Sequence, residues 1–125
     1  MAAIGLNHFN LQAHKELLEQ LKDFYCDYLG LQVGERPQLR SFGYWLYAEG
    51  KAILHLSESA HSRQTHIRTT IDHVAFTCVD AAHMEQKLRA GGIEFEVRGG
   101  AGLKQIFLAD PAGNGVELNF SGEEV

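Results

Sequence analysis

The sequence predicts an α+β fold built from one unit used twice. Three observations carry this. Several short runs alternate apolar and polar residues with the period of a strand, and two longer runs repeat apolar residues at helical spacing. The order of strand, helix, then two or three strands occurs before residue 58 and again after residue 71. The copies also match locally: Leu6-Asn7-His8-Phe9 lies against Ile71-Asp72-His73-Val74, and Ile53-Leu54-His55-Leu56 against Gly115-Val116-Glu117-Leu118. At 125 residues the chain has the length of one domain, so each copy is a half. The expected division is 1–58, a polar linker over 59–70, and 71–125.

In chain order, Ile4 to Leu11 reads as the first strand. A helix over His14 to Leu29 follows from the stripe of Leu17, Leu18, Leu21, Phe24, Tyr25 and Tyr28, with Gly30 at its end. Arg40 to Tyr47 and Ala52 to Ser57 are strands joined at Glu49-Gly50. Glu58 to Thr70 turns to Ser, His, Arg, Gln and Thr, the composition of a linker. Ile71 to Val79 is a strand, Asp80 an N-cap, and Ala81 to Ala90 a helix ended by Gly91-Gly92. Ile93 to Val97, Leu103 to Leu108 and Gly115 to Phe120 complete the second copy.

Composition narrows the function. A hydrophobic share of 45% argues against disorder, and a net charge of −5 argues against nucleic-acid binding. No apolar run is long enough to span a membrane, and the first residues lack the pattern of a secretory signal. Two cysteines make no disulfide framework, so a cytoplasmic protein is expected. Seven histidines are the unusual supply, and strand phase sorts them. Phe9 and Leu11 share one face of their strand and leave His8 and Asn10 on the other. Leu54 and Leu56 leave His55 and Ser57; Val74, Phe76 and Cys78 leave His73 and Thr77; Val116, Leu118 and Phe120 leave Glu117 and Asn119. One strand histidine alone is ordinarily packing. Four such residues in matching phase at repeated positions point to a divalent metal, with Zn, Ni, Mn, Co and Fe(II) all compatible with imidazole and carboxylate. His14, His61, His66 and His83 fall outside this pattern and are assigned to solvent. Cys78 reads as a small buried hydrophobe.

The stretch from Phe107 to Leu118, with its turn Asp110-Pro111-Ala112-Gly113-Asn114 before Glu117, resembles the vicinal-oxygen-chelate superfamily. So do Leu6-Asn7-His8, the stretch from Phe24 to Leu31, and the stretch from Ile71 to Phe76. That superfamily includes glyoxalase I, extradiol dioxygenases, fosfomycin-resistance transferases and bleomycin-resistance proteins. The resemblance implies two βαβββ modules forming a cup-shaped mixed sheet, with helices on the outer face and a metal at the floor. Its most shared ligand positions match His8, His73 and Glu117; the fourth, a Glu in many glyoxalases, is His55 here. Without His55 the set is a 2-His-1-carboxylate triad suited to Fe(II).

The leading expectation is a metal-dependent glyoxalase-like lyase or isomerase, with Glu117 also moving a proton and a small substrate chelated through vicinal oxygens. The alternatives are an extradiol-type dioxygenase and a non-catalytic antibiotic-binding resistance protein. Gln12 stands near the place where glyoxalase-like enzymes carry a glutathione-binding Arg, and the acidic ending Ser-Gly-Glu-Glu-Val disfavours a phosphonate grip. Candidate substrate contacts are Asn10, Ser57, Thr77 and Asn119, with Tyr47 on the wall and Arg98 in a mobile loop. Tyr44, Trp45, Lys104 and Gln105 are the other wall candidates. Pairing of modules between chains, as in many such proteins, predicts a homodimer with sites shared between subunits.

Overall fold

The computed structural model describes residues 2–61 and 65–123; residues 62–64 of the expected linker, Met1, and residues 124–125 of the second half lie outside them. The chain divides into two compact units, Met1–Gln64 and Thr65–Val125. Each is an α+β unit with its own four-stranded mixed sheet and one helix, so the strands form two sheets.

The first unit runs β1 (Phe9–Ala13), α1 (Lys15–Asp27), β2 (Gln32–Gly34), β3 (Gly43–Ala48) and β4 (Lys51–Glu58). The second repeats it as β5 (Val74–Thr77), α2 (Ala81–Ala90), β6 (Glu96–Gly100), β7 (Leu103–Ala109) and β8 (Gly115–Ser121). The sheet orders are β1-β4-β3-β2 and β5-β8-β7-β6, each with one parallel pair at the edge and antiparallel pairs elsewhere.

Sequence dictates these elements through one apolar face apiece. Leu18, Leu21, Phe24 and Tyr25 bury one stripe of α1, and Leu46, Leu54 and Leu56 are fully buried in the strands it covers. Ala81, Met84 and Leu88 do the same for α2, above Ile106, Leu118 and Phe120. Each such leucine contributes about 1.5–3 kcal/mol by leaving water. Helix α2 is capped twice at its start. Asp80 accepts from His83 N, and the Glu123 carboxylate accepts from Asp80 N at 3.0 Å and Ala81 N at 2.9 Å.

Several expected elements shift. The first strand begins at Phe9 because Ile4 and Leu6 gain no ladder partner and stay exposed. The strand expected from Ile71 begins at Val74, and that expected over Ile93 to Val97 lies over Glu96–Gly100. The βαβββ plan requires strand β2, but the sequence reading assigned no residues to it. Tyr44 and Lys104, expected on the wall of the site, instead face the helices. Tyr44 donates to Glu19, and Lys104 Nζ lies 2.6 Å from Glu85 Oε2. They sit in register with Leu56 and Phe120, so the pleat turns them to the covered side.

Candidate functional site

In the first unit, β4 turns Leu54 and Leu56 toward α1 and His55 toward the opposite face. The register sets Asn10 and Trp45 on either side of His55. His8, one step in phase before Asn10, lays its ring on His55 with centroids 3.7 Å apart and planes 14° apart. Trp45 covers the other side at 4.0 Å and 11°. His55 is thus the middle of a three-ring stack and only 9% exposed. Burial holds its imidazole below the ordinary pKa, and the neighbouring His8 and the Arg36 cation push the same way. Asn10 donates to Ser57 Oγ at 2.8 Å, so these two substrate candidates meet. Tyr47 packs its ring over Gly34 and donates its hydroxyl to Glu35 O, leaving that hydroxyl committed to the wall itself.

In the second unit the turn before β8 is built from its own residues. Asp110 Oδ1 accepts from Ala112 N at 2.9 Å and Asn114 N at 3.0 Å. Gly113, at φ +88°, carries the chain through, and a Cβ there would strike His66. From this turn β8 delivers Glu117, 6% exposed, to the face opposite the helix. Glu117 Oε2 accepts from Gln105 Nε2 at 3.1 Å and Asn119 Nδ2 at 3.0 Å, while Oε1 faces His73 Nε2 at 3.0 Å. Burial pushes this carboxyl up, but the two amides and His73 outweigh it and hold it below the ordinary range. His73 Nδ1 lies 2.8 Å from Asp72 Oδ2, and that bond, with Glu117 opposite, raises the imidazole's pKa. Thr77 lies in register with Asn119 and is exposed. Arg98, expected in a mobile loop, stands within β6 in register with Gln105, because the strand runs on through the glycines after it. It pairs through two bonds of 3.1 Å with Glu96 and lies over Phe107, whose ring meets His73 edge-on.

The structure therefore brings the four ligand candidates together in pairs, His8 with His55 and His73 with Glu117. Among the described residues no three His, Cys, Asp or Glu gather closely enough to hold a metal. A feature common to the three histidines concerns their other nitrogen. An amide, carbonyl or carboxylate oxygen can only accept, so the ring nitrogen facing it carries the hydrogen. His8 Nδ1 faces Asn7 Oδ1 at 2.7 Å, His55 Nε2 faces Ala52 O at 3.2 Å, and His73 Nδ1 faces Asp72. His8 Nε2 and His55 Nδ1 face no such oxygen among the described residues, while His73 Nε2 faces Glu117 Oε1.

Cys78, expected to be buried, is half-buried, and burial still pushes its thiol up to about 11. Arg36, whose charge reaches His55, was not singled out by sequence reasoning. Its signal was its equivalence to Arg98. Gly34 is opposite Trp45 and Glu96 opposite Phe107, and each arginine follows two residues later.

Residues 5–118 match the Glyoxalase/Bleomycin resistance protein/Dioxygenase superfamily. No curated protein matches the chain. Among solved structures it is similar to lactoylglutathione lyase from Agrobacterium tumefaciens, with TM-score 0.67, 20% identity, and 96% of both chains covered. It is similar to the fosfomycin resistance protein FosX from Listeria monocytogenes in complex with Mn(II) and sulfate, with TM-score 0.71 and 16% identity over 96% of this chain and 94% of that one. It is also similar to TnmS3, an antibiotic binding protein from a Streptomyces species, with TM-score 0.68 and 17% identity over 97% and 98%. At these identities the likeness to each structure is one of fold. The match over 5–118 goes further: the chain belongs to the Glyoxalase/Bleomycin resistance protein/Dioxygenase superfamily.

Proposed function

We propose that the protein is a metal-dependent, glyoxalase-like lyase or isomerase that acts on a small substrate chelated through vicinal oxygens. The ligands are His8, His73 and Glu117, with His55 as the fourth. One observation carries this reading: His8, His55 and His73 each turn one ring nitrogen to an amide, carbonyl or carboxylate oxygen, as metal-bound histidines do, and His73 turns the other to Glu117 Oε1, where an ion would take its place between the two ligands. The donor set suits Zn, Ni, Mn, Co or Fe(II). His73 Nε2 and Glu117 Oε1, 3.0 Å apart, fit neighbouring ligands of one such ion. Each unit supplies half the set, and we assign its completion to a homodimer. Leu6 at 87% and Ile71 at 73% exposure, two residues before His8 and His73, are apolar surface that a second copy would cover.

A divalent ion held there stabilises negative charge on the substrate oxygens. The remaining work belongs to the chain. Glu117, ionised because Asn119 and Gln105 hold Oε2, would use Oε1 as a ligand and, once that oxygen loosens, as the base that accepts a proton from one substrate carbon and returns it to the next. Asn10, Ser57, Thr77 and Asn119 line the same faces and orient the substrate's polar groups, with Trp45 and Phe107 as apolar walls.

The ring stack favours a second reading. Two stacked imidazoles whose planes differ by 14° hold their in-plane lone pairs in nearly parallel planes, so they converge on one ion only if a ring turns. His55, held between His8 and Trp45, is then a wall, and His8, His73 and Glu117 form the Fe(II)-type triad of an extradiol dioxygenase.

Metal analysis of the protein purified without added metal, and of His8→Ala and Glu117→Ala, tests the site. Stoichiometric metal in the wild type, lost in both variants, is the expected result. Failure to bind Zn, Ni, Mn, Co or Fe(II) on reconstitution overturns both metal readings and leaves small-molecule binding, the property of the TnmS3 relative. His55→Phe, which keeps the stack, separates four ligands from three. Turnover of hemithioacetals against catechols separates lyase from dioxygenase.

A further inference from the structure

The loop after β2 holds a cation that the proposed chemistry does not use. Arg36 is half-buried, and its position two residues beyond Gly34 carries it, in phase, onto the face of Trp45 and His55. Its guanidinium packs against Gly43, where a Cβ would lie 2.9 Å from Nη2 and would also strike the Leu56 carbonyl. Glycine is therefore what makes room for it. Gly43 is in register with Ser57, so the guanidinium lies beside the candidate substrate face. Nη1 donates to Ser41 O at 2.9 Å and Nη2 to Ser41 Oγ at 3.3 Å. These two bonds occupy one edge of a group with five N–H donors. The Nε donor is buried and has no partner among the described residues. No carboxylate among the described residues pairs with Arg36, whereas its counterpart Arg98 is neutralised by Glu96. The position equivalent to Glu96 is Gly34, which has no side chain to offer. A second guanidinium, Arg40, lines the same cavity of about 630 Å³ with Arg36, Pro37, Gln38, Leu39 and Gly43.

A half-buried guanidinium with an unclaimed edge and no counter-charge is a receptor for a planar or tetrahedral oxyanion. We propose that Arg36, assisted by Arg40, forms an oxyanion subsite that binds a carboxylate or phosphate group of the substrate beside Ser57. The subsite deepens the metal-enzyme reading by naming the substrate as anionic, yet its binding step needs no metal and can be measured alone.

The test uses metal-free full-length protein and two probes, acetate and inorganic phosphate, followed through the Arg36 Nε–H resonance in the wild type and through the Gly43 and Ser57 backbone amide resonances in the wild type and every variant. A buried Nε–H exchanges slowly enough to be seen, and an arriving oxyanion shifts it. We expect a saturable shift with at least one probe, and the tighter probe assigns the group as carboxylate or phosphate. Arg36→Gln should weaken binding about tenfold or more, Arg36→Lys less, because lysine keeps the charge and loses the fork. Lys51→Gln removes the same charge elsewhere in the unit and should leave affinity unchanged. Equal weakening by Arg36→Gln and Lys51→Gln, or no saturable shift with either probe, overturns the subsite. Circular dichroism of Arg36→Lys and Arg36→Gln shows that any loss is not unfolding. Metal content of the same proteins, measured as purified before the metal is stripped, keeps the two readings apart: metal without oxyanion binding defeats only the subsite, and oxyanion binding without metal defeats only the enzyme.

Discussion

Where the first unit carries His55, the second carries Glu117, and the surroundings of the two residues differ as sharply as the residues. His55 is held by rings, His8 on one side and Trp45 on the other. Glu117 is held by hydrogen bonds from Gln105 and Asn119, with His73 facing its other oxygen. The residue at the place of Gln105 is Gly43, and that at the place of Asn119 is Ser57. Arg36 stands unpaired where Arg98 is paired. One backbone plan thus presents a cationic, aromatic face in one copy and an anionic, amide-lined face in the other. The duplicated fold fixes where the side chains point; the local partners decide which charge each position tolerates.

The largest effect should come from breaking the ring stack. Trp45→Ala removes one side of the sandwich around a buried imidazole and should cost about 2–3 kcal/mol in urea unfolding. Phe107→Ala, at the equivalent place, loses an edge-on contact with a partly exposed His73 and the exposed Arg98 guanidinium over its ring, and should cost about half as much. Equal losses would mean the stack adds nothing specific. Asp72→Asn tests the second unit in turn. Losing the carboxylate behind His73 Nδ1 should weaken metal binding about 10- to 100-fold by isothermal titration, with the fold unchanged.

Proton linkage gives the two units opposite signs. His55 binds a proton less readily when folded, so its contribution is complete above the ordinary histidine pKa and is lost as pH falls toward the folded value. His73 binds one more readily, so its contribution is complete below the ordinary pKa and is lost as pH rises through the folded value. In metal-free protein, His55→Phe should remove the acid-side loss, so its urea midpoint relative to wild type should rise as pH falls from 8 to 5. A constant difference across that range would defeat the assignment.

The readability of these features from sequence depended on periodicity. The covered and open faces of β1, β4, β5 and β8 alternate over enough residues to declare themselves, which placed His8, His55, His73 and Glu117. Helix α2 was read with its observed bounds because Asp80 and Gly91-Gly92 punctuate it. Strand β2 has three residues, all exposed, one a glycine, and so presents no alternation to read. Missing β2 hid the equivalence of Arg36 with Arg98. Tyr44 and Lys104 misled because each is polar at its tip while its strand position faces a helix that offers a carboxylate, Glu19 or Glu85. The roles of Asn7 and Asp72 depend on which ring nitrogen they face, a fact of rotamers that no sequence pattern carries.

The smallest effect on stability should come from Glu96→Gln, which leaves Arg98 without its carboxylate. Both partners are largely exposed, at 58% and 63% of their side-chain surface, so solvent already screens the pair and the unfolding midpoint should not move. The value of the variant lies in what it does to charge. It makes the second unit resemble the first, an arginine in the same phase with no directly paired carboxylate, Asp72 acting on it only from farther off, but on an open surface against Phe107 instead of a half-buried bed on Gly43. If the Arg36 subsite depends on burial as well as on missing a partner, freed Arg98 should bind acetate or phosphate far more weakly than Arg36 does. Equal affinity at the two arginines would show that absence of a counter-charge is enough, and would remove Gly43 and the buried Nε donor from the account of the first unit.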